Sequence, residues 1–396
     1  MPPLLALGLL AVAGLLATRL RVVLPELGPR RDLVIGLATL GCGLVLGPGI
    51  GVLDRSTLDR LAPLGMLAAA WMGAGVGTTF DQRLVRSVRD AARKSVAIAI
   101  VVTIGVSTVG ALLLARFVPA LGALWVPRLE AVGVLGCVAA LSDPRLAVAG
   151  GSLSQAASHR FAQLETAAGV LVLTCFTIVV HPHPAGGGGW REILLIVAAA
   201  ASLWLFGSLR RMPKLAPSFA LALALLAGAA LGSASGISPF VSGALGAMVW
   251  TRMGSTRALR SALGRWERPM ALVLALLCGA ELGGPTPWLL GGAALLAALR
   301  IGARWGALAL ARPGTHWPPE TALSTLAQGR AALGAGLGCA LALRGTATGT
   351  GSGVLATVVL AVALGQGVVA LSALFHGRPL TRSPVAPELN PDPTAD

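Results

Sequence analysis

The residues best suited to chemistry are Ser142-Asp143-Pro144, set inside an apolar run over 130–151. A carboxylate within an apolar run costs several kcal/mol unless something balances it. Pro144 removes a backbone donor and clashes with the preceding turn, so a helix here must break. The freed carbonyls, the Ser142 hydroxyl and the Asp143 carboxylate would make a hard, oxygen-rich site. Such a site suits Na⁺, K⁺ or H⁺. The plainer reading is a helix cap in a re-entrant loop.

A second interruption lies at Thr325-Leu326-Ala327-Gln328-Gly329-Arg330, in the run 321–343. Arg330 could offset the negative ends of the broken helices or pair with Asp143; alternatively it snorkels from a shorter span. Arg300 lies deep in the run 287–309, as a counter-charge for a carboxylate or as a side chain snorkelling toward Arg304. Glu165 stands near the start of 161–181, either on an ion path or at the interface. Glu281 reads as a cap or structural ion-pair partner, and Arg145 as a neighbour that neutralises Asp143.

The elements that hold these residues follow from composition. The chain has 396 residues, 55% hydrophobic, 12% charged, with mean hydropathy +0.79. No soluble domain buries that much apolar surface, whereas a bilayer removes the need. The 52 glycines suit close helix packing in lipid. Tyr is absent, so an interfacial aromatic belt rests on Trp, such as Trp71, Trp190, Trp250 and Trp317.

Thirteen runs are long enough to span: 3–20, 33–50, 58–79, 95–117, 130–151, 161–181, 191–209, 216–234, 236–251, 268–284, 287–309, 321–343 and 353–375. The reading is an all-α polytopic membrane protein with a single transmembrane domain over 1–376. The remainder, 377–396, is expected to be a disordered cytoplasmic tail. Of the 31 Lys and Arg residues, 22 fall on one set of alternate loops, 6 on the other and 3 within runs. The richer side is therefore cytoplasmic, with the N-terminus outside and the C-terminus inside. Arg304 is counted among these loop residues, as are Arg252, Arg257, Arg260, Arg265 and Arg268.

An odd span count puts runs one to six and eight to thirteen in opposite orientations. That is the geometry of two inverted repeats, roughly 1–185 and 212–376. Broken helices five and twelve then occupy corresponding positions. Met72-Gly73-Ala74-Gly75 and Cys278-Gly279-Ala280-Glu281 are a faint similarity between the halves.

The net charge of +15 is spread over short loops and does not signal nucleic acid. The five cysteines lie in apolar runs without CxxC spacing and read as small hydrophobes. His181-Pro182-His183-Pro184 reads as linker more readily than as a metal site. No nucleophile elbow, phosphate loop or HExxH motif occurs, so an enzyme is not expected, nor a bound cofactor.

These residues resemble the cation:proton antiporter superfamily over nearly the whole chain. Leu46-Gly47-Pro48-Gly49-Ile50-Gly51 is similar to its Gly-Pro turn. Ser142-Asp143-Pro144 with Ala147-Val148 is similar to its Thr-Asp-Pro motif. Ile237-Ser238-Pro239-Phe240 through Ala247 resembles its ninth span, Arg300 matches a basic residue of its eleventh, and Ala327-Gln328-Gly329-Arg330 falls where an Arg-Gly-Glu stretch is frequent. The resemblance departs in the sixth span. Where the family carries Asn-Asp or Asp-Asp, this chain has Gly169-Val170, after Glu165-Thr166. Gly77 likewise stands near a position where an acidic residue is common.

The resemblance implies crossed broken helices, a homodimer in the cell (inner) membrane, and exchange of Na⁺ or K⁺ for protons. Asp143 would be central, with Ser142, Glu165, Thr166 and Gln328 as helpers and Arg300 and Arg330 as counter-charges. The missing sixth-span carboxylate keeps a second possibility open, a transport-inactive member acting as sensor or subunit. A third is an organic-anion carrier of related fold that uses Arg300 and Arg330.

Overall fold

The computed structural model describes residues 30–79, 90–118, 120–121, 129–141, 163–176, 207, 217–234, 236–253, 256–282, 286–310, 329–344 and 354–365. Among them all regular structure is helical. In chain order the helices are α1 (Arg30–Leu44, passing into a π turn at Val45–Gly49), α2 (Arg55–Gly77), α3 (Asp90–Phe117), α4 (Leu129–Ala139), α5 (Gln163–Phe176), α6 (Pro217–Ala234), α7 (Pro239–Met253), α8 (Thr256–Ala280), α9 (Pro287–Leu310), α10 (Gly329–Arg344) and α11 (Val354–Gly365). The expected runs 3–20 and 191–209 lie outside the described residues, apart from Gly207.

Helix ends follow local chemistry. Asp54 caps α2, its Oδ1 accepting from the Thr57 amide at 2.9 Å. Helices α6, α7 and α9 each begin on a proline, where the missing amide would have had no helical partner. Gly236 ends the α6 turn at φ 75°, and the Ile237 amide returns to the Gly232 carbonyl at 2.8 Å.

Two crossings hold the centre, and glycine makes both possible. Where α2 meets α7, a Cβ on Gly73 would lie 2.0 Å from the Phe240 carbonyl oxygen, and one on Gly243 2.1 Å from that of Ala70. Where α1 meets α8, a Cβ on Gly279 would lie 2.1 Å from the Leu40 carbonyl oxygen, and one on Gly43 2.1 Å from that of Leu276. The spacing is the same in both, and only glycine lets the backbones come this close. One turn on, Gly77 faces the Ala244 carbonyl as Gly73 faces that of Phe240, and Gly47 faces the Ala280 carbonyl as Gly43 faces that of Leu276, so the partners at each crossing run in the same direction.

Helix α3 is turned inside out relative to a soluble helix. Its outer face carries Val101, Val106, Val109, Leu113 and Phe117 exposed, while Ser95, Thr103 and Ser107 are buried. The stretch Lys94–Phe117 is long and apolar enough to cross a membrane, and among the described residues it alone meets both conditions. Shorter apolar helices accompany it at Ile35–Gly49, Gln163–Phe176, Ser218–Ala234, Ala331–Ala342 and Val354–Gly365.

Three expectations are corrected. Trp71 is not interfacial: it is 1% exposed, and its indole N–H donates to the Leu263 carbonyl at 3.2 Å. The run at 268–284 begins much earlier as helix, at Thr256, because its first half is amphipathic. Leu259, Ala262 and Leu263 face inward there, and Arg260, Arg265 and Arg268 face out. Arg304 is no loop residue; α9 continues past it to Leu310 and turns it into the interior.

Candidate functional site

The site is built on the C-terminal end of α4. The helix stops at Ala139, and Ala140 and Leu141 follow as a tight, buried turn. Their amides reach back to the Cys137 and Val138 carbonyls at 3.2 and 3.1 Å. Pro144 accounts for the stop. A continuing helix would direct the amide of residue 144 at the Ala140 carbonyl, and proline has none. The residue before a proline also disfavours helical geometry.

The carbonyls at this end are met by two cations one turn apart on α9. The Arg300 Nε donates to the Ala139 carbonyl at 2.7 Å, and its Nη2 to that of Leu141 at 3.4 Å. The Arg304 Nη2 donates to the Ala140 carbonyl at 3.3 Å and also to the Glu165 carboxylate on α5. Arg300, Arg304 and Glu165 are all buried. A helix C-terminus carries a partial negative charge of about half an electron, so cations there are favourable. Burying two guanidinium groups is tolerable only with such partners, and Glu165 supplies a full opposite charge.

Glu165 is therefore inside the protein, in a buried ion pair. Thr166 beside it is also buried. The described partners of Arg300 are backbone carbonyls. Arg330 is the second residue of α10, and only its backbone is described. Ser142, Asp143, Arg145 and Gln328 lie outside the described residues, the first two directly after Leu141. Arg304 is the residue sequence reasoning missed, although its spacing of four from Arg300 puts both on one helix face.

The two positions where a carboxylate was missed are tightly filled. A side chain on Gly169 would begin 3.1 Å from the Leu141 Cδ2, and Val170 is fully buried in the main apolar core. A side chain on Gly77 would begin 2.3 Å from the Ala244 carbonyl oxygen, too close for any Cβ. Beside Arg300 a cavity of about 30 Å³ is lined by Leu135, Val138, Leu296, Ala297 and Thr357. That is room for a water or two.

Comparison with solved structures bears on this arrangement. The fold is similar to that of the sodium proton antiporter MjNhaP1 from Methanocaldococcus jannaschii, determined at pH 8, with TM-score 0.60 over 96% of this chain and 100% of that one. This chain has a sodium proton antiporter fold. Sequence identity across the antiporter match is 14%, so the likeness is one of architecture. No protein-family model matches the sequence, and no curated protein does.

Proposed function

We propose that this chain is a multi-pass protein of the cell (inner) membrane that exchanges a monovalent cation, Na⁺ or K⁺, for protons at Asp143. The observation that carries the reading is the buried Arg300–Arg304–Glu165 layer on the carbonyl end of α4, immediately ahead of Ser142-Asp143-Pro144. Its formal charge is +1. An ionised Asp143 close by brings the sum to zero, and either a proton or one metal cation raises it to +1. A second cation would meet that charge at close range. Two unit charges about 4 Å apart repel by about 4 kcal/mol at an effective dielectric near 20, or about three decades in affinity. Binding of one ion then excludes the other, which is what couples two opposed fluxes. Ser142, Thr166 and Gln328 are proposed as helpers, and Arg330 as a further counter-charge.

The membrane reading draws on the hydropathy and on the outward apolar face of α3. The proposed inverted repeats draw support from the matched crossings. Gly43 and Gly279 stand to each other as Gly243 and Gly73 do, with the same three-residue offsets to the carbonyls they face. A homodimer, an external N-terminus and a cytoplasmic C-terminus remain part of the proposal.

Proteoliposomes carrying the purified protein test it. Added Na⁺, K⁺ or Li⁺ should dissipate an imposed pH gradient, and Asp143→Asn should not respond. No pH change with any of the three across several pH values would sink the reading.

One observation favours a second reading, a transport-inactive member that serves as sensor or subunit. Gly169 and Val170 are packed against apolar neighbours where the resembled family carries a carboxylate. That reading expects Asp143→Asn to behave like wild type in a sensitive flux assay.

A further inference from the structure

Hydroxyl side chains inside helices usually donate to a carbonyl of the preceding turn. Among the described residues, five examples are these. Thr39 donates to the Ile35 carbonyl at 2.7 Å, Thr174 to that of Val170 at 2.7 Å and Ser233 to that of Ala229 at 2.9 Å. Ser242 reaches the Pro239 carbonyl, and Thr251 that of Met248, both at 2.8 Å. Two on α3 do not. The Thr103 Oγ1 and Ser107 Oγ have no hydrogen-bond partner, yet Thr103 is 0% exposed and Ser107 1%. They are four residues apart and share one face of the helix.

That face meets α9. Gly110 abuts the Leu299 side chain, and Val96, Ala99 and Ile100 share an apolar cluster with Ala307. The two helices are therefore antiparallel, and Thr103 and Ser107 fall opposite the stretch that carries Arg300 and Arg304. Ala140, whose carbonyl accepts from Arg304, belongs to the same cluster. Two buried hydroxyls without partners thus lie at the level of the buried cations and the C-terminal end of α4.

An unmade hydrogen bond in an interior is costly, and buried polar groups without protein partners are typically met by ordered water. A metal cation is disfavoured at this spot by the two guanidinium groups opposite. We infer that Thr103 and Ser107 hold internal water in the layer of Arg300 and Arg304, forming a hydration site against α3. The water stands on the hydroxyl geometry. Its use as a route for the exchanged proton rests on the antiport reading.

Two measurements on the full-length protein in membranes decide it, and neither needs transport. A Ser107→Cys thiol should react with neutral methyl methanethiosulfonate at least about tenfold faster than an Ala111→Cys thiol. The thiolate attacks the reagent and displaces methanesulfinate, and a thiolate forms in wet surroundings and not in apolar ones. Ala111 is fully buried on the same helix and belongs to the main apolar core. Peptide mass spectrometry separates these thiols from the native cysteines. Equal rates would overturn the hydration site. The double substitution Thr103→Val, Ser107→Ala gives the second test. If water satisfies the hydroxyls, the apolar pair displaces it and Tm falls by a few degrees. If the pocket is dry, removing two unsatisfied hydroxyls leaves Tm unchanged or raises it, and the proposal fails. A wild type without flux would defeat the antiport reading and leave both of these results standing.

Discussion

Arg304 donates to the carbonyl of Ala140, the oxygen that Pro144 leaves without a helical donor. The carbonyl and the side chain that meets it stand on different helical segments, 164 residues apart. The guanidinium replaces a lost backbone donor with a charged one, and the charge is balanced by Glu165. Geometry at the α4 terminus accordingly depends on an ion pair that contains no α4 residue.

Glu165→Gln should be strongly destabilising. It leaves the buried Arg304 charge with a neutral partner, a loss of about 3–5 kcal/mol for a broken buried pair. Glu165→Leu with Arg304→Met should cost much less, since replacing both charges removes the desolvation penalty of each. Thermal unfolding of Glu165→Leu, of Arg304→Met and of the double variant in detergent measures the coupling. Additive losses would show that the pair is not coupled energetically.

Arg300→Lys should keep the charge and lose the two-pronged grip on Ala139 and Leu141. A hydrogen bond to a charged group contributes about 1.5–3 kcal/mol. The expected outcome is a fall of about tenfold or more in cation-dependent proton flux with modest loss of stability. Flux in proteoliposomes, set beside Tm, separates the two effects. Unaltered flux would mean that the α4 end needs charge alone.

How much of this was readable beforehand depends on how local each feature is. Ten of the thirteen expected runs contain a described helix, and an eleventh, 130–151, is helical over its first half, because long apolar runs between polar gaps need no partner to be seen. The start of α8 was missed because an amphipathic turn averages to low hydropathy: Arg260, Arg265 and Arg268 mask the inward Leu259 and Leu263. Arg304 was assigned to a loop for a similar reason, as a charge near the end of an apolar run. What turns it inward is Glu165, 139 residues away, and no local pattern carries that information. That α4 ends ahead of Asp143 was readable from Pro144 alone, whereas the side chains of α9 that meet its end were not. Ser142, Asp143 and Gln328 lie outside the described residues, so their part in the site is still the sequence's expectation.

Asp54 offers a pH-dependent control remote from the site. Hydrogen bonds from the Thr57 side chain and amide and from Ser56 hold its carboxyl down, from 3.8 to about 2. A carboxyl whose folded value is depressed stabilises the fold above its unfolded value and loses that contribution as pH falls. The cap's contribution should therefore be complete above about pH 4 and disappear as pH drops toward 2. Asp54→Ala should lower Tm at neutral pH, and the difference from wild type should shrink through that window. A difference that stays constant from pH 6 to pH 2 would remove the carboxylate from the cap.

The two glycine crossings give the sharpest packing test, because they make matched predictions. Gly73→Ala would drive a methyl group to 2.0 Å from the Phe240 carbonyl oxygen, and Gly279→Ala to 2.1 Å from that of Leu40. Both neighbours are backbone and cannot rotate away, so the helices must separate. Overpacking of this kind costs about 1–3 kcal/mol or more. Gly75→Ala, two residues from Gly73 with nothing within 4 Å of its added methyl, should be neutral or slightly stabilising, since alanine favours helix. Thermal unfolding of the three variants reads this directly. Equal losses at Gly73 and Gly279 would support equivalent roles in two halves of one plan. A large loss at only one of them would mean that the matched offsets do not reflect matched energetics, and the inverted-repeat proposal would lose its main structural support.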